Sequence, residues 1–130
     1  MEQLKRGEEL PTVETLEAIC DAFNRHDLDG VMAFFAEDGV FDTPAGPEIY
    51  GGRHAGKAAV RAAFADLFAK VPDIHWEGAR NWVSGNMGCS QWRRTGTQAD
   101  GTRLDWLGLD IFTFRDGQVI SKDTYFKIRG

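Results

Sequence analysis

A chain of 130 residues is the length of one domain, and with 15 Lys+Arg against 20 Asp+Glu its formal charge of −5 opposes a phosphate backbone, which argues against nucleic acid as a ligand. An apolar content of 42%, 12% aromatics and only 4 prolines supply a core, so a disordered chain is excluded. The longest apolar stretches, such as Val31-Met32-Ala33-Phe34-Phe35-Ala36, fall far short of the roughly 20 residues that span a bilayer.

Taken in chain order, residues 1–11 read as an N-terminal arm rich in Glu and Lys, and 12–130 as a single domain. The start Met1-Glu2-Gln3-Leu4-Lys5 has no apolar leader. Cys20 and Cys89 stand far apart without a CxxC, so a reduced, cytoplasmic protein is expected. Val13, Leu16, Ile19, Cys20 and Phe23 recur at helical spacing behind Thr12, a suitable cap. Asp27 can cap a second helix with the stripe Leu28, Val31, Met32 and Phe35. Val40-Phe41-Asp42-Thr43 is a short strand stopped by Pro44, followed by a loop through Gly46, Pro47, Gly51 and Gly52. A third helix carries Val60, Phe64, Leu67 and Phe68 and ends before Pro72.

Beyond Pro72 the period changes to two, over Ile74–Val83, Met87–Gln98, Arg103–Phe114 and Gln118–Lys127. Gly85-Asn86, Asp100-Gly101 and Asp116-Gly117 separate these strands as hairpin turns. The expectation is an α+β domain, helices first and an antiparallel meander last, with the helices on one sheet face. Along Trp106–Phe114, one face presents Trp106, Gly108, Asp110, Phe112 and Phe114, and the other Leu107, Leu109, Ile111 and Thr113. Both faces are apolar, so the one away from the helices is expected to meet a second copy, as a homodimer through the sheet, the alternative being a small tight monomer.

Asp110 is the residue that stands out, because it shares its face with three aromatic rings. A carboxyl group desolvated there is expected to have a raised pKa and to suit acid/base work near neutrality. Asp42 leaves the short strand beside Thr43-Pro44 and can line a mouth, although alternation turns only one of Asp42 and Thr43 inward. His75, between Ile74 and Trp76, is a second candidate base. His26 and His54 fall in connections and are read as polar loop residues. No metal or cofactor is implied: the histidines are scattered, and Gly51-Gly52-Arg53-His54-Ala55-Gly56-Lys57 departs from a P-loop at Ala58. Arg93 and Arg94 lie on opposite faces, so one of them points inward to pair a carboxylate or grip an anionic group.

Phe23-Asn24-Arg25-His26-Asp27-Leu28-Asp29, Phe35-Ala36-Glu37-Asp38 with Pro44 following, Gly52-Arg53 with Gly56, and Asp110-Ile111-Phe112 with Asp116-Gly117 together resemble the nuclear transport factor 2-like superfamily in its SnoaL-like branch. The resemblance covers about residues 12–127. It implies a cone, a curved antiparallel sheet wrapped around three helices, with an apolar pocket at the wide end and frequent dimerisation. It places Asp110 where the ketosteroid isomerases of that superfamily keep a protonated acid and the polyketide cyclases keep an acid/base. Thr43, not Asp42, directly precedes the proline as the isomerases' base does. His75 resembles the base of a dehydrochlorinase, and Arg103-Leu104-Asp105 the Arg-x-Asp of the limonene-type epoxide hydrolases.

The function expected is that of a small cofactor-independent enzyme doing lyase, isomerase or cyclase chemistry on a small apolar molecule in a conical pocket. Asp110, His75 and Asp42 are the candidate catalytic groups, and Phe23, Phe35, Tyr50, Trp92, Trp106 and Phe112 the candidate substrate contacts. The alternative is a non-catalytic ligand-binding or accessory protein of the same fold.

Overall fold

The computed structural model describes residues 9–129, so residues 1–8 of the expected arm lie outside the described residues. Helix α1 (Val13–Asn24) opens as its sequence predicts: the Thr12 hydroxyl accepts the Thr15 N–H at 3.2 Å, and the Thr15 hydroxyl accepts the Thr12 N–H at 3.1 Å. It buries Leu16, Ile19, Ala22 and Phe23. Asp27 caps α2 (Leu28–Met32), accepting the Gly30 N–H at 3.0 Å.

This second helix is shorter than its periodicity predicts. Phe35, expected to end the helical stripe, instead opens strand β1 (Phe35–Asp42). The ring is fully buried, which either arrangement achieves, so the backbone decides: Phe35 lies opposite Val119, whose N–H donates to the Phe34 carbonyl at 2.8 Å. A second correction is β2 (Arg53–Ala55), a short strand paired with β1 inside the segment expected to be loop. Three residues between glycines carry too little alternation to read.

Helix α3 (Lys57–Lys70) buries Val60 and Phe64. The long strands β3 (His75–Ser84), β4 (Met87–Thr97), β5 (Arg103–Arg115) and β6 (Gln118–Phe126) follow as an antiparallel meander. At the last hairpin Asp116 and Gly117 both have positive φ, 52° and 79°, the backbone of a type I′ turn.

The six strands form one curved open sheet in the order β2-β1-β6-β5-β4-β3. It is not wholly antiparallel, because β1 runs parallel to β6. The chain leaves β1 through β2 and α3, so β6 is reached by a crossover rather than a hairpin. Between β5 and β6 the register slips by one: Phe114 faces Val119 but Thr113 faces Ser121, leaving Ile120 as a bulge. Helices α1 and α3 pack on the concave face, and Phe23, Phe35, Phe64, Phe112 and Val119 lie in the core between. No described helix is long and apolar enough to cross a membrane.

Candidate functional site

Register brings the polar core of the molecule together. Ser90 faces Asp110 across β4 and β5, and Asp110 faces Thr124 across β5 and β6. Asp110 is buried, on the face that alternation along its strand predicts. Its carboxylate meets donors on both oxygens: the Trp92 indole N–H reaches Oδ2 at 3.0 Å, and the Thr124 hydroxyl reaches Oδ1 at 2.6 Å. The Lys122 ammonium lies 2.9 Å from the same Oδ1 and donates to the Thr124 hydroxyl at 2.8 Å. Lys122 is itself only 6% exposed. Its burial pushes the ammonium below the usual lysine pKa, while the Asp110 charge acts in the opposite direction. The ring of Phe41, 4.5 Å away, offers it an aromatic face.

A cavity of about 20 Å³ adjoins this pair, closed by Leu16, Ile19, Cys20 and Phe23 of α1 and by Trp76 and Phe112 of the sheet. That is room for about one water molecule. Burial, reinforced by the charges of Asp110 and Asp21, pushes the Cys20 thiol up to about 11. It stays protonated at neutral pH and serves as wall, not nucleophile. Opposite Trp92 the sheet carries Gly108; a methyl group there would lie 2.8 Å from the indole Cη2, so a side chain at this position would collide with the ring that donates to Asp110.

A larger cleft of about 900 Å³ opens beyond, lined by Phe41, Leu67, Leu104, Trp106 and Phe126 together with Arg94. Of the two adjacent arginines, Arg94 is therefore the inward one. Arg93 points away and grips Asp105 through two bonds of 2.6 and 2.7 Å on the outer face. The Arg94 guanidinium lies 4.8 Å from the Phe126 ring centre. Burial lowers its pKa, and Asp110 opposes that shift.

Of the residues expected at a site, Asp110, Phe23, Trp92 and Phe112 meet around the inner cavity, and Trp106 lines the cleft. Four do not join them. His75 is exposed, because the alternation that turns Trp76 into the core turns its neighbour out. Asp42 is buried but spends both oxygens on Arg53, at 2.8 and 2.9 Å, and lines neither space, whereas Thr43 lines the cleft. Phe35 is core, and Tyr50 is an exposed ring beneath the Arg53 guanidinium at 3.9 Å. Sequence reasoning passed over Lys122, Thr124 and Ser90. His54, read as a loop residue, instead lies in β2 and lines the cleft stacked on Phe41, and His26 sits at the end of α1 with its Nε2 2.7 Å from the Ile74 carbonyl oxygen. Among the described residues, no three His, Cys, Asp or Glu side chains converge as a metal site.

Solved structures share this architecture. Bal32a, from a soil-derived mobile gene cassette, is 26% identical, with 87% of this chain and 86% of that one covered at a TM-score of 0.77. A proposed polyketide cyclase of Xanthomonas campestris pv. campestris is 24% identical, covers 88% of each chain and gives 0.77. A ketosteroid isomerase-like fold from Catenulispora acidiphila, solved with trimethylamine, is 17% identical and gives 0.78, with 91% of this chain and 88% of that one covered. No curated protein matches the chain by sequence. The model of the SnoaL-like domain matches residues 16–122, from the first core leucine of α1 to the lysine paired with Asp110, and this chain belongs to that family.

Proposed function

We propose that the protein is a cofactor-independent enzyme of the isomerase, lyase or cyclase type, which moves a proton on a small molecule with an apolar body, and that it works in the cytoplasm as a homodimer. One observation carries the reading: a carboxylate and an ammonium, both buried, lie 2.9 Å apart beside a mostly apolar cavity between α1 and the sheet. Buried charges of this kind are costly to maintain and cluster where chemistry needs them. Membership of the SnoaL-like family is consistent with it, and the free thiols of Cys20 and Cys89 suit a reducing compartment.

In this reading the substrate's acidic C–H replaces the Trp92 N–H at Asp110 Oδ2, which requires the indole to swing aside and widen a cavity that otherwise holds about one water molecule. Asp110 accepts the proton from a carbon next to a carbonyl and returns it at another position, so the net change is a rearrangement without oxidation or reduction. The flanking aromatic rings exclude water from the exchange. A panel of cyclic ketones in D2O, followed by proton NMR, tests this through deuterium uptake beside the carbonyl. Asp110→Glu keeps the charge pair but moves the carboxylate, and it should slow uptake about 100-fold with circular dichroism unchanged. Equal uptake in the variant would remove Asp110 from the chemistry.

A second reading rests on the fact that both Asp110 oxygens are already engaged by protein donors. A binding protein needs no more than that. Its outcome in the same panel is a raised melting temperature with no deuterium uptake.

A further inference from the structure

Of the charged side chains lining the two interior spaces, most are matched. Asp110 and Lys122 neutralise each other at 2.9 Å, and Asp66 and Lys70 do the same at 2.9 Å on the cleft wall. Arg94 is the exception. Among the described residues no carboxylate lies within 4.0 Å of its guanidinium, its side chain makes no hydrogen bond, and its Nε is enclosed without a partner. An enclosed donor left unsatisfied is uncommon and costly. The neighbouring arginine shows what the same strand does with a structural guanidinium: Arg93 is clamped by Asp105 from both sides of its fork.

The surroundings of Arg94 are apolar. Phe41, Leu104, Trp106 and Phe126 line the same cleft, and Trp106 stands directly across from Arg94 on β5. The space, about 900 Å³, is of ligand size. A planar guanidinium among aromatic walls is complementary to one chemistry, a planar organic anion joined to an apolar body, because the fork matches a carboxylate with two parallel bonds.

We propose that the cleft binds a small aromatic or alicyclic carboxylate, whose anionic group is held by Arg94 and whose apolar body lies against Trp106 and Phe126. This names the substrate class for the enzyme reading above and rests on that reading, although the binding step stands without turnover. The carboxylate sits at Arg94, one strand repeat beyond Trp92 on the β4 face that also carries Ser90, opposite Asp110.

Titrations of 2-naphthoate and of its methyl ester, followed by tryptophan fluorescence, test the assignment. The protein should bind the acid at least about tenfold more tightly than the ester, the discrimination expected of a charged hydrogen-bonded pair. Arg94→Met should abolish that preference, Arg94→Lys should retain part of it, and Arg93→Met should leave it intact. Arg94→Met relieves an unmatched guanidinium, so its melting temperature should equal or exceed the parent's. Equal affinity for acid and ester, failure to bind either, or a preference that survives Arg94→Met would overturn the proposal. If the methionine variant does not fold, Arg94→Lys decides: an undiminished preference there likewise overturns it. Failure of the enzyme reading is recognised separately, as acid preference without deuterium uptake on any ketone.

Discussion

A methyl group at Gly108 would approach the Trp92 ring at 2.8 Å and the Tyr125 carbonyl at 2.5 Å. The Phe126 Cβ is as close, at 2.7 Å, so Gly108→Ala must both push the indole and part β5 from β6. Overpacking of this kind costs about 1–3 kcal/mol, and here it also frees Asp110 Oδ2 from its indole donor. The expected result is a lower midpoint in urea, together with a shifted tryptophan emission. A variant with the parent's stability and spectrum would show that Trp92 is not held by this glycine. Residue by residue, chemistry at the centre depends on side chains that are absent as much as on those present.

Among secondary-structure elements, the bulge at Ile120 decides which residues of β6 face the site. A plain two-residue hairpin at Asp116-Gly117 would pair Asp110 with Asp123, two carboxylates on adjacent strands. The extra residue shifts the register so that Thr124 faces Asp110 and Lys122 shares its interior face. Deleting Ile120 removes only the extra residue and leaves Thr124 opposite Asp110 and Lys122 opposite Phe112 in a plain ladder, so that variant should stay folded. Removing the lysine is different: losing the partner of a buried charge costs about 3–5 kcal/mol, enough to unfold a domain of ordinary stability. Loss of the cooperative transition in thermal circular dichroism is expected of Lys122→Ala, whereas Ile120→Ala should remain folded.

This element also explains what was legible beforehand. The four long strands, α1 with its Thr12 cap, and the inward face of Asp110 follow from alternation and turn chemistry along continuous segments. Lys122 was not legible, because lysine is ordinarily exposed and its inward position depends on a one-residue slip that leaves no mark in the composition of β6. Phe35 misled for a different reason: an apolar residue at the boundary of a helix and a strand satisfies both periods, and only pairing with Val119 chooses. His75 and Asp42 lie away from both spaces, each being next to a residue that does face inward, and Asp42 is held there by Arg53.

For the whole molecule, the convex face of the sheet leaves Trp82, Met87, Leu107 and Tyr125 exposed, on strands β3 to β6. So much apolar area on one side supports the proposed pairing with a second copy. Native mass measurement should give twice 14.5 kDa for the parent, and Leu107→Glu combined with Tyr125→Glu should give the single mass with the fold preserved. A parent that already runs at the single mass would dispose of the dimer.

The parallel pairing of β1 with β6 has a consequence for how the chain is made. β1 holds Phe35 and Phe41, two large core rings, yet its neighbour β6 is the last strand to be synthesised. More than half of the chain separates the two in sequence, a long-range closure of the kind that slows folding. Until β6 is available, the nascent chain carries an unpaired β1 edge, a state prone to association with other chains. The Asp110–Lys122 pair forms only in that same final step, since one member sits on each of the last two strands. The charged centre is thus assembled by the event that completes the sheet, and a chain stalled before β6 has neither a closed core nor a site.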